Sequence, residues 1–272
     1  MTTEATEVLQ PDVALAVAGL LDVPAPADGV LPLMWHWFHL LDRPRTADLG
    51  PDGHPTSGGP VDPPGAGRRR MWAGGEVTSL GPLRLGEPAT RRSAARAPVV
   101  KDGRSGRLEF VSVDHEVVQH GRVVVRERQD LVYRDAPSVD PAEAPPDPEP
   151  VDPVPLADGD RPLAITPPLL FRFSALTYNG HRIHYDRDHA RRTEGYPGLV
   201  THGPLQALAM AEAARAEGVA TEPGLTCRYR LVSPLFDHQG LVARADRDGS
   251  GATATVRDLG GRTTARAEFT LG

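Results

Sequence analysis

Cysteine occurs once in this sequence, at Cys227, which excludes an internal disulfide framework and any cysteine-based zinc cluster. Lysine also occurs once, at Lys101; every other base is an arginine, and the arginines are spread along the whole chain. No run approaches the roughly 20 apolar residues of a membrane span. The first thirty residues lack the basic-then-apolar pattern of a secretory leader. A strong charge of one sign is missing as well. The net charge is −6, but residues 135–160 hold eight Asp/Glu and no base, which leaves 28 acids against 30 bases elsewhere. That near-neutral remainder lacks the basic field on which nucleic-acid binding depends. The expectation is a soluble cytoplasmic protein with neither nucleic acid nor membrane as partner.

What is present is a chain of 272 residues, 39% hydrophobic and 24% charged, enough to bury a sizeable core. The eight prolines among residues 135–160 remove backbone donors and fix φ, so the segment predicts an extended, solvated linker. It divides the chain into an N-terminal half (1–134), a linker (135–162) and a C-terminal half (163–272). In the first half, Pro11 to Leu21 and Leu31 to Leu41 have helical apolar content, and a Gly/Pro-rich loop runs from Pro44 to Gly67. Strands are predicted at Met71–Leu80, Glu87–Val100, Gly106–Val117 and Arg122–Tyr133, with a turn at Gln119-His120-Gly121. The second half repeats the order. Pro204–Glu217 reads as a helix, with Pro204 in its first turn and Gly218 just past its end. Its alanines would let a sheet pack closely around it. Strands follow at Thr226–Leu231 and Thr264–Leu271, with turns at Asp248-Gly249 and Gly260-Gly261. Two helix-then-meander units predict a duplicated α+β architecture, each sheet curled around its own helix.

Chemistry concentrates in residues 171–207. His181, His184, His189 and His202 fall within 22 residues, beside Asn179, Asp186 and Asp188. Such residues are commonly structural, and His189, followed by two arginines, is read that way; His202 could simply support the turn before the helix. His181-x-x-His184 has ligand-like spacing but no third ligand in a recognisable frame, so no metal is assigned. Acid–base chemistry accounts for more of the segment. An imidazole at His184 titrates near neutrality. The free N–H groups at Gly203-Pro204, at a helix N-terminus, can hold an oxyanion. Together they suit chemistry at a carbon α or β to a carbonyl.

With these residues in hand, the segment resembles the MaoC-like (hydratase-2) signature of the hot-dog fold. Asn179 and His184 have the five-residue separation of that family's acid and histidine, and Gly203 in THGPL follows 19 residues later. LPLMWHWFHLLDR (31–43), RRRMWAGGEV (68–77), GRSGRLEFVSVDHE (103–116) and SALTYNGHRIHYD (174–186) are similar to the fused members with a degenerate, fungal-synthase-type dehydratase half in front. These include mesaconyl-CoA and itaconyl-CoA hydratases and 3-hydroxyacyl-thioester dehydratase type 2. The resemblance implies a double hot-dog, with a degenerate first half and a catalytic second one. It implies a hydro-lyase acting on an enoyl or 3-hydroxyacyl thioester of CoA or a carrier protein, with no cofactor. Catalysis would rest on His184 as base, Gly203 N–H as oxyanion donor and Asn179 orienting water. Asn179 departs from the family's aspartate, and an amide neither ionises nor accepts a proton usefully.

Arg68, Arg69 and Arg70, beside Trp72, are the candidates for binding CoA phosphates, with Arg172 and Arg182 as further ones. A solvated basic run is an equal reading of the triplet. Trp35, Trp37 and Phe38 suit packing of one face. Hot-dog units commonly pair, either within such a chain or as a homodimer of chains. Two rival functions stay open: a hot-dog thioesterase, and a non-catalytic acyl-thioester-binding subunit.

Overall fold

Side-chain alternation and helix caps set the local elements of the computed structural model, which describes residues 2–61, 68–103, 106–135 and 145–272. Residues 62–67 of the expected loop, 104–105 of the GRSGRLEFVSVDHE stretch and 136–144 of the expected linker lie outside the described residues. In chain order the elements are β1 (Thr2–Val8), α1 (Pro11–Leu21), β2 (Arg68–Ser79), β3 (Pro88–Ala95), β4 (Val99–Gly103), β5 (Gly106–Gln119), β6 (Arg122–Asp135), β7 (Arg161–Leu163), α2 (Pro167–Leu176), α3 (Gly203–Ala216), β8 (Leu225–Leu231), β9 (Leu241–Asp248), β10 (Gly251–Arg257) and β11 (Thr263–Leu271). No helix among them is long and apolar enough to cross a membrane.

The strands form one antiparallel sheet in the order β1-β3-β5-β6-β2-β8-β11-β10-β9-β7, with β4 on β5. β2 is the seam, because it pairs with β6 of the first half and β8 of the second. Its Gly74-Gly75 step follows a bulge in the strand. A Cβ on Gly74 would stand 2.4 Å from the Tyr229 carbonyl oxygen, and one on Gly75 2.3 Å from that of Arg128. Glycine is what lets three strands close at this point.

α3 is the central helix. It packs on β9, β10 and β11 and on the seam strands β2 and β8. Ala207 and Ala213 are fully buried beside Met210, so the sheet wraps tightly. In β8, Cys227 and Tyr229 point into this core while Arg228 and Arg230 point out, as strand alternation requires.

The first half departs from its expected plan. α1 packs against α2 and the segment around Trp35 rather than under its own sheet. Residues 31–41 make only one short 3-10 turn, Trp35–Phe38. Met34 and Leu40 take left-handed φ values of 72° and 55°, which stop a longer helix on both sides. The described part of the linker carries no strand or helix before β7 and is largely exposed, as expected, but it is also tied to the second half. Val154 N–H donates to Leu259 O at 2.8 Å, and Asp147 and Asp160 pair with Arg191 and Arg257 at 2.8 and 2.7 Å.

Candidate active site

Between α2 and α3 the chain makes a series of tight turns that gather four imidazoles. Tyr178 adopts φ 52° after α2, and Asn179 N–H donates back to Ser174 O at 2.8 Å. The Asn179 Oδ1 then accepts the His181 N–H at 3.0 Å, which leaves the amide NH2 to face outward as a donor. His184 closes the next turn. Its Nδ1 lies 2.7 Å from the Val200 carbonyl oxygen. A carbonyl only accepts, so Nδ1 carries the proton and Nε2 holds the lone pair.

The His184 ring is stacked on His202 at 3.6 Å between centroids and 18° between planes, and His181 stands edge-on at 5.4 Å. His202 is the residue before α3, and its Nε2 shares a 2.9 Å hydrogen bond with Ser174 Oγ of α2. This stack sets His184 beside the first turn of α3, where Gly203 begins the helix. The first N–H groups of a helix have no partner within it and carry its positive end. A Cβ on Gly203 would lie 2.4 Å from Leu231 Cδ1 and 3.4 Å from Trp72 Cβ, so glycine keeps this turn closely packed. Asn179, His184 and Gly203 all line one cavity of about 1240 Å³. It extends into the first half, where His36 and Trp37 donate to the buried Glu127 at 2.8 Å each.

A second group reaches this cavity from the first half. The loop after Thr46 folds on itself through Gly50 N–H to His54 O, at 2.7 Å, and docks on the turns that follow α2. Arg182 N–H donates to Asp52 O at 2.9 Å, and the Arg182 guanidinium donates to Pro51 O at 2.9 Å. His54 Nδ1 lies 3.0 Å from Asp52 Oδ2, and its ring sits 3.9 Å from that of His181. Sequence reasoning missed both residues. Their only signal was a polar Asp-Gly-His turn inside a Gly/Pro-rich loop.

The arginine candidates separate sharply. Arg70 and Trp72 line the cavity. Arg68 is held by Glu109 at 2.6 Å. Arg69 is buried against Glu194, with its guanidinium over the Tyr196 ring, and is thereby removed from ligand binding. Arg172 is exposed and reaches Gly19 O, and Arg182 pairs with Asp186 at 2.7 Å while holding the loop. Arg69, Arg172 and Arg182 thus meet carboxylates or carbonyls of the chain itself, and sequence proximity carried no information on which of these each would meet. Trp35 and Phe38 are core residues, whereas Trp37 faces the cavity edge-on to Trp72 at 5.9 Å. His189 is buried and lies 3.9 Å from Glu194.

Burial dominates the titration of these imidazoles. It pushes the His184 pKa down to about 4, the Val200 hydrogen bond opposing and His54 adding to the shift. His39, buried near Glu7, is also brought down to about 4. Burial, then neighbouring imidazoles, lowers His181 and His202. The unfolded chain therefore binds protons below its ordinary histidine pKa of about 6.5 that the folded chain refuses until about pH 4. Stability is fully present above about pH 6.5 and falls as the pH drops through that window, by about 1.4 kcal/mol per histidine per pH unit. Thermal melts between pH 7.5 and 4.5 are expected to show a steadily falling Tm; a flat Tm would contradict neutral buried imidazoles.

Asp52, His54 and His181 each bring one donor atom within 4.8 Å of the others. The Asp52 and His54 side chains already satisfy one another, and the donors nearest the reacting turn are imidazoles suited to proton transfer.

Comparison with known proteins accords with this architecture, a double hot-dog. The protein is 43% identical over 276 residues to mesaconyl-C(4)-CoA hydratase of Chloroflexus aurantiacus, covering 94% of this chain and 96% of that one. The crystal structure of HtdX from Mycobacterium tuberculosis matches with a TM-score of 0.69 at 16% identity, over 99% of each chain. A MaoC-like dehydratase from Phytophthora capsici matches with a TM-score of 0.65 at 15% identity, over 100% of this chain and 94% of that one. The family model for hydroxyacyl-thioester dehydratase type 2 matches residues 34–237, and with that coverage the chain belongs to the hydroxyacyl-thioester dehydratase type 2, MaoC-like family.

Proposed function

We propose that the protein is a hydro-lyase that adds water reversibly to a 2-enoyl-CoA thioester, the reverse step being dehydration of a 3-hydroxyacyl-CoA. The mesaconyl-C(4)-CoA hydratase relative supports a short, branched dicarboxylic acyl group of the mesaconyl or itaconyl kind. The observation that carries the reading is the neutral His184 imidazole, its Nδ1 proton held by Val200 O and its ring stacked beside the start of α3.

The thioester is its own electron sink, so the chemistry needs no cofactor. The Gly203 N–H and the positive end of α3 hold the carbonyl oxygen as it gains charge. In the dehydration direction, His184 Nε2 takes the α-proton and the electron pair passes to the thioester oxygen. Expulsion of the β-hydroxyl, which takes that proton and leaves as water, then forms the double bond. The Asn179 NH2 orients the hydroxyl or water. Arg70, the cavity-lining member of the arginine triplet, is the anchor for an anionic group of the substrate.

Incubation with mesaconyl-C(4)-CoA and with crotonyl-CoA tests the reading. The expected product gains the mass of one water and keeps its thioester. Release of free thiol instead would make the protein a thioesterase, and binding without turnover a non-catalytic subunit. Cys227, fully buried, stays silent in a native thiol assay.

A further inference from the structure

Resting on the hydratase reading, we propose that Asp52 and His54, carried by the first half, are the second acid–base group of the active site, filling the role that Asn179 cannot. Loss of a β-hydroxyl needs a proton delivered to the departing oxygen, and addition of water needs one removed. Asn179 can do neither, and its acceptor oxygen is spent on His181 N–H. Without another group, His184 alone must carry the proton from the α-carbon to the hydroxyl.

The Asp52–His54 pair has the geometry for the task. Asp52 Oδ2 accepts from His54 Nδ1, which orients the ring and leaves Nε2 as the working nitrogen. Asp52 Oδ1 also accepts the His54 backbone N–H at 3.0 Å, so the carboxylate grips both ends of the residue. Both His54 and His184 line the cavity, with His181 between them at 3.9 Å from one ring and 5.4 Å from the other. The loop cannot drift. Gly53 presses on Gly180 so closely that a Cβ would stand 1.8 Å from the Gly180 carbonyl oxygen. Among the described residues, the groups that face His54 are Asp52 on its own loop and His181 and His184 of the second half. Burial raises the Asp52 carboxyl, but hydrogen bonds and charge from His54 outweigh it and hold it below the usual range.

The step balances as follows. The Cα–H bond breaks and its proton goes to His184 Nε2. The electron pair forms the Cα–Cβ double bond, and the Cβ–O bond breaks with its pair on oxygen. The pair starts as imidazolium and carboxylate, so that oxygen takes the Nε2 proton of the His54 imidazolium and leaves as water, while the Nδ1 proton stays on the bond to Asp52. His184 has gained one proton and the His54–Asp52 pair has lost one; exchange through solvent restores both, and hydration is the reverse.

The test uses the full chain and mesaconyl-C(4)-CoA, with crotonyl-CoA as a second probe. His54→Gln is expected to lower kcat by about 10²-fold with KM changed only a few-fold, and to remove one limb of the pH–rate profile. Asp52→Asn is expected to cost about tenfold and to displace that same limb, as loss of an orienting and charge-balancing partner does. Wild-type kcat with both limbs intact in His54→Gln, while His184→Ala is inactive, overturns the pair and leaves the hydratase reading standing. Turnover absent from the wild type with both probes overturns the two together. Stoichiometric divalent metal retained after dialysis, and lost in His54→Gln, would overturn the acid–base role by making these side chains ligands.

Discussion

Replacing His184 with alanine is expected to lower kcat by about two to four powers of ten while leaving the fold intact. The loss has one source. Val200 O fixes the Nδ1 proton, and the stack on His202 fixes the ring plane, so the Nε2 lone pair is held in a defined direction beside the start of α3. Removing the ring removes the base and leaves the oxyanion donors, whose residual contribution sets the floor. KM should change little, because the ring makes no contact that differs between substrate binding and free enzyme beyond filling space. The pH dependence has a defined sign. With a pKa of about 4, His184 stays an unprotonated base through the neutral and mildly acid range, and activity falls only as protonation sets in near pH 4. Steady-state kinetics of the variant, with thermal melts to show that it is folded, check this. Turnover within tenfold of wild type would remove His184 from the chemistry.

Gly53→Ala is expected to cost at least tenfold in kcat although Gly53 itself has no side chain to offer. The residue sits at φ 88°, where an L side chain is strained, and its added methyl would meet backbone rather than a flexible side chain. The Gly180 carbonyl oxygen cannot yield without moving Asn179 and His181 on either side of it. Relief therefore requires the loop to lift, which breaks the Arg182 N–H to Asp52 O hydrogen bond and carries Asp52 and His54 away from His181. Strain of this kind costs about 1–3 kcal/mol. Gly121→Ala separates the two contributions. That turn has φ 71° with open space around the missing Cβ, and it joins β5 to β6 away from the cavity. It should lower Tm similarly and leave kcat unchanged. Equal activity in both variants would mean that the loop's position is immaterial to the chemistry.

Much of the second half was legible in the residues. The start of α3 at Gly203-Pro204 and its end before Gly218 follow from capping, and Gly218 takes φ 85° as such an end requires. The buried Cys227 and Tyr229 of β8 follow from alternation, and the β5–β6 turn at His120-Gly121 from two residues that accept positive φ. The motif set Asn179, His184 and Gly203 at a fixed spacing along the chain, and all three line one cavity. The first half was less legible. The apolar run at 31–41 looked helical, but left-handed backbone at Met34 and Leu40 is decided by how Trp35 and Phe38 are drawn into the core.

What the sequence determined alone is what depends on near neighbours: caps, turns, strand faces, and the spacing of the reacting turn from Asn179 to Gly203. Only the tertiary structure decided that the halves share one sheet at β2 and β8, that Arg70 faces the cavity while Arg69 is locked to Glu194, and that Asp52 and His54 close over His181. The reason is physical. A cap or an alternating strand is stabilised by groups a few residues away, whereas these contacts join residues 125 or more positions apart, and no local preference records which distant partner a closing chain will meet.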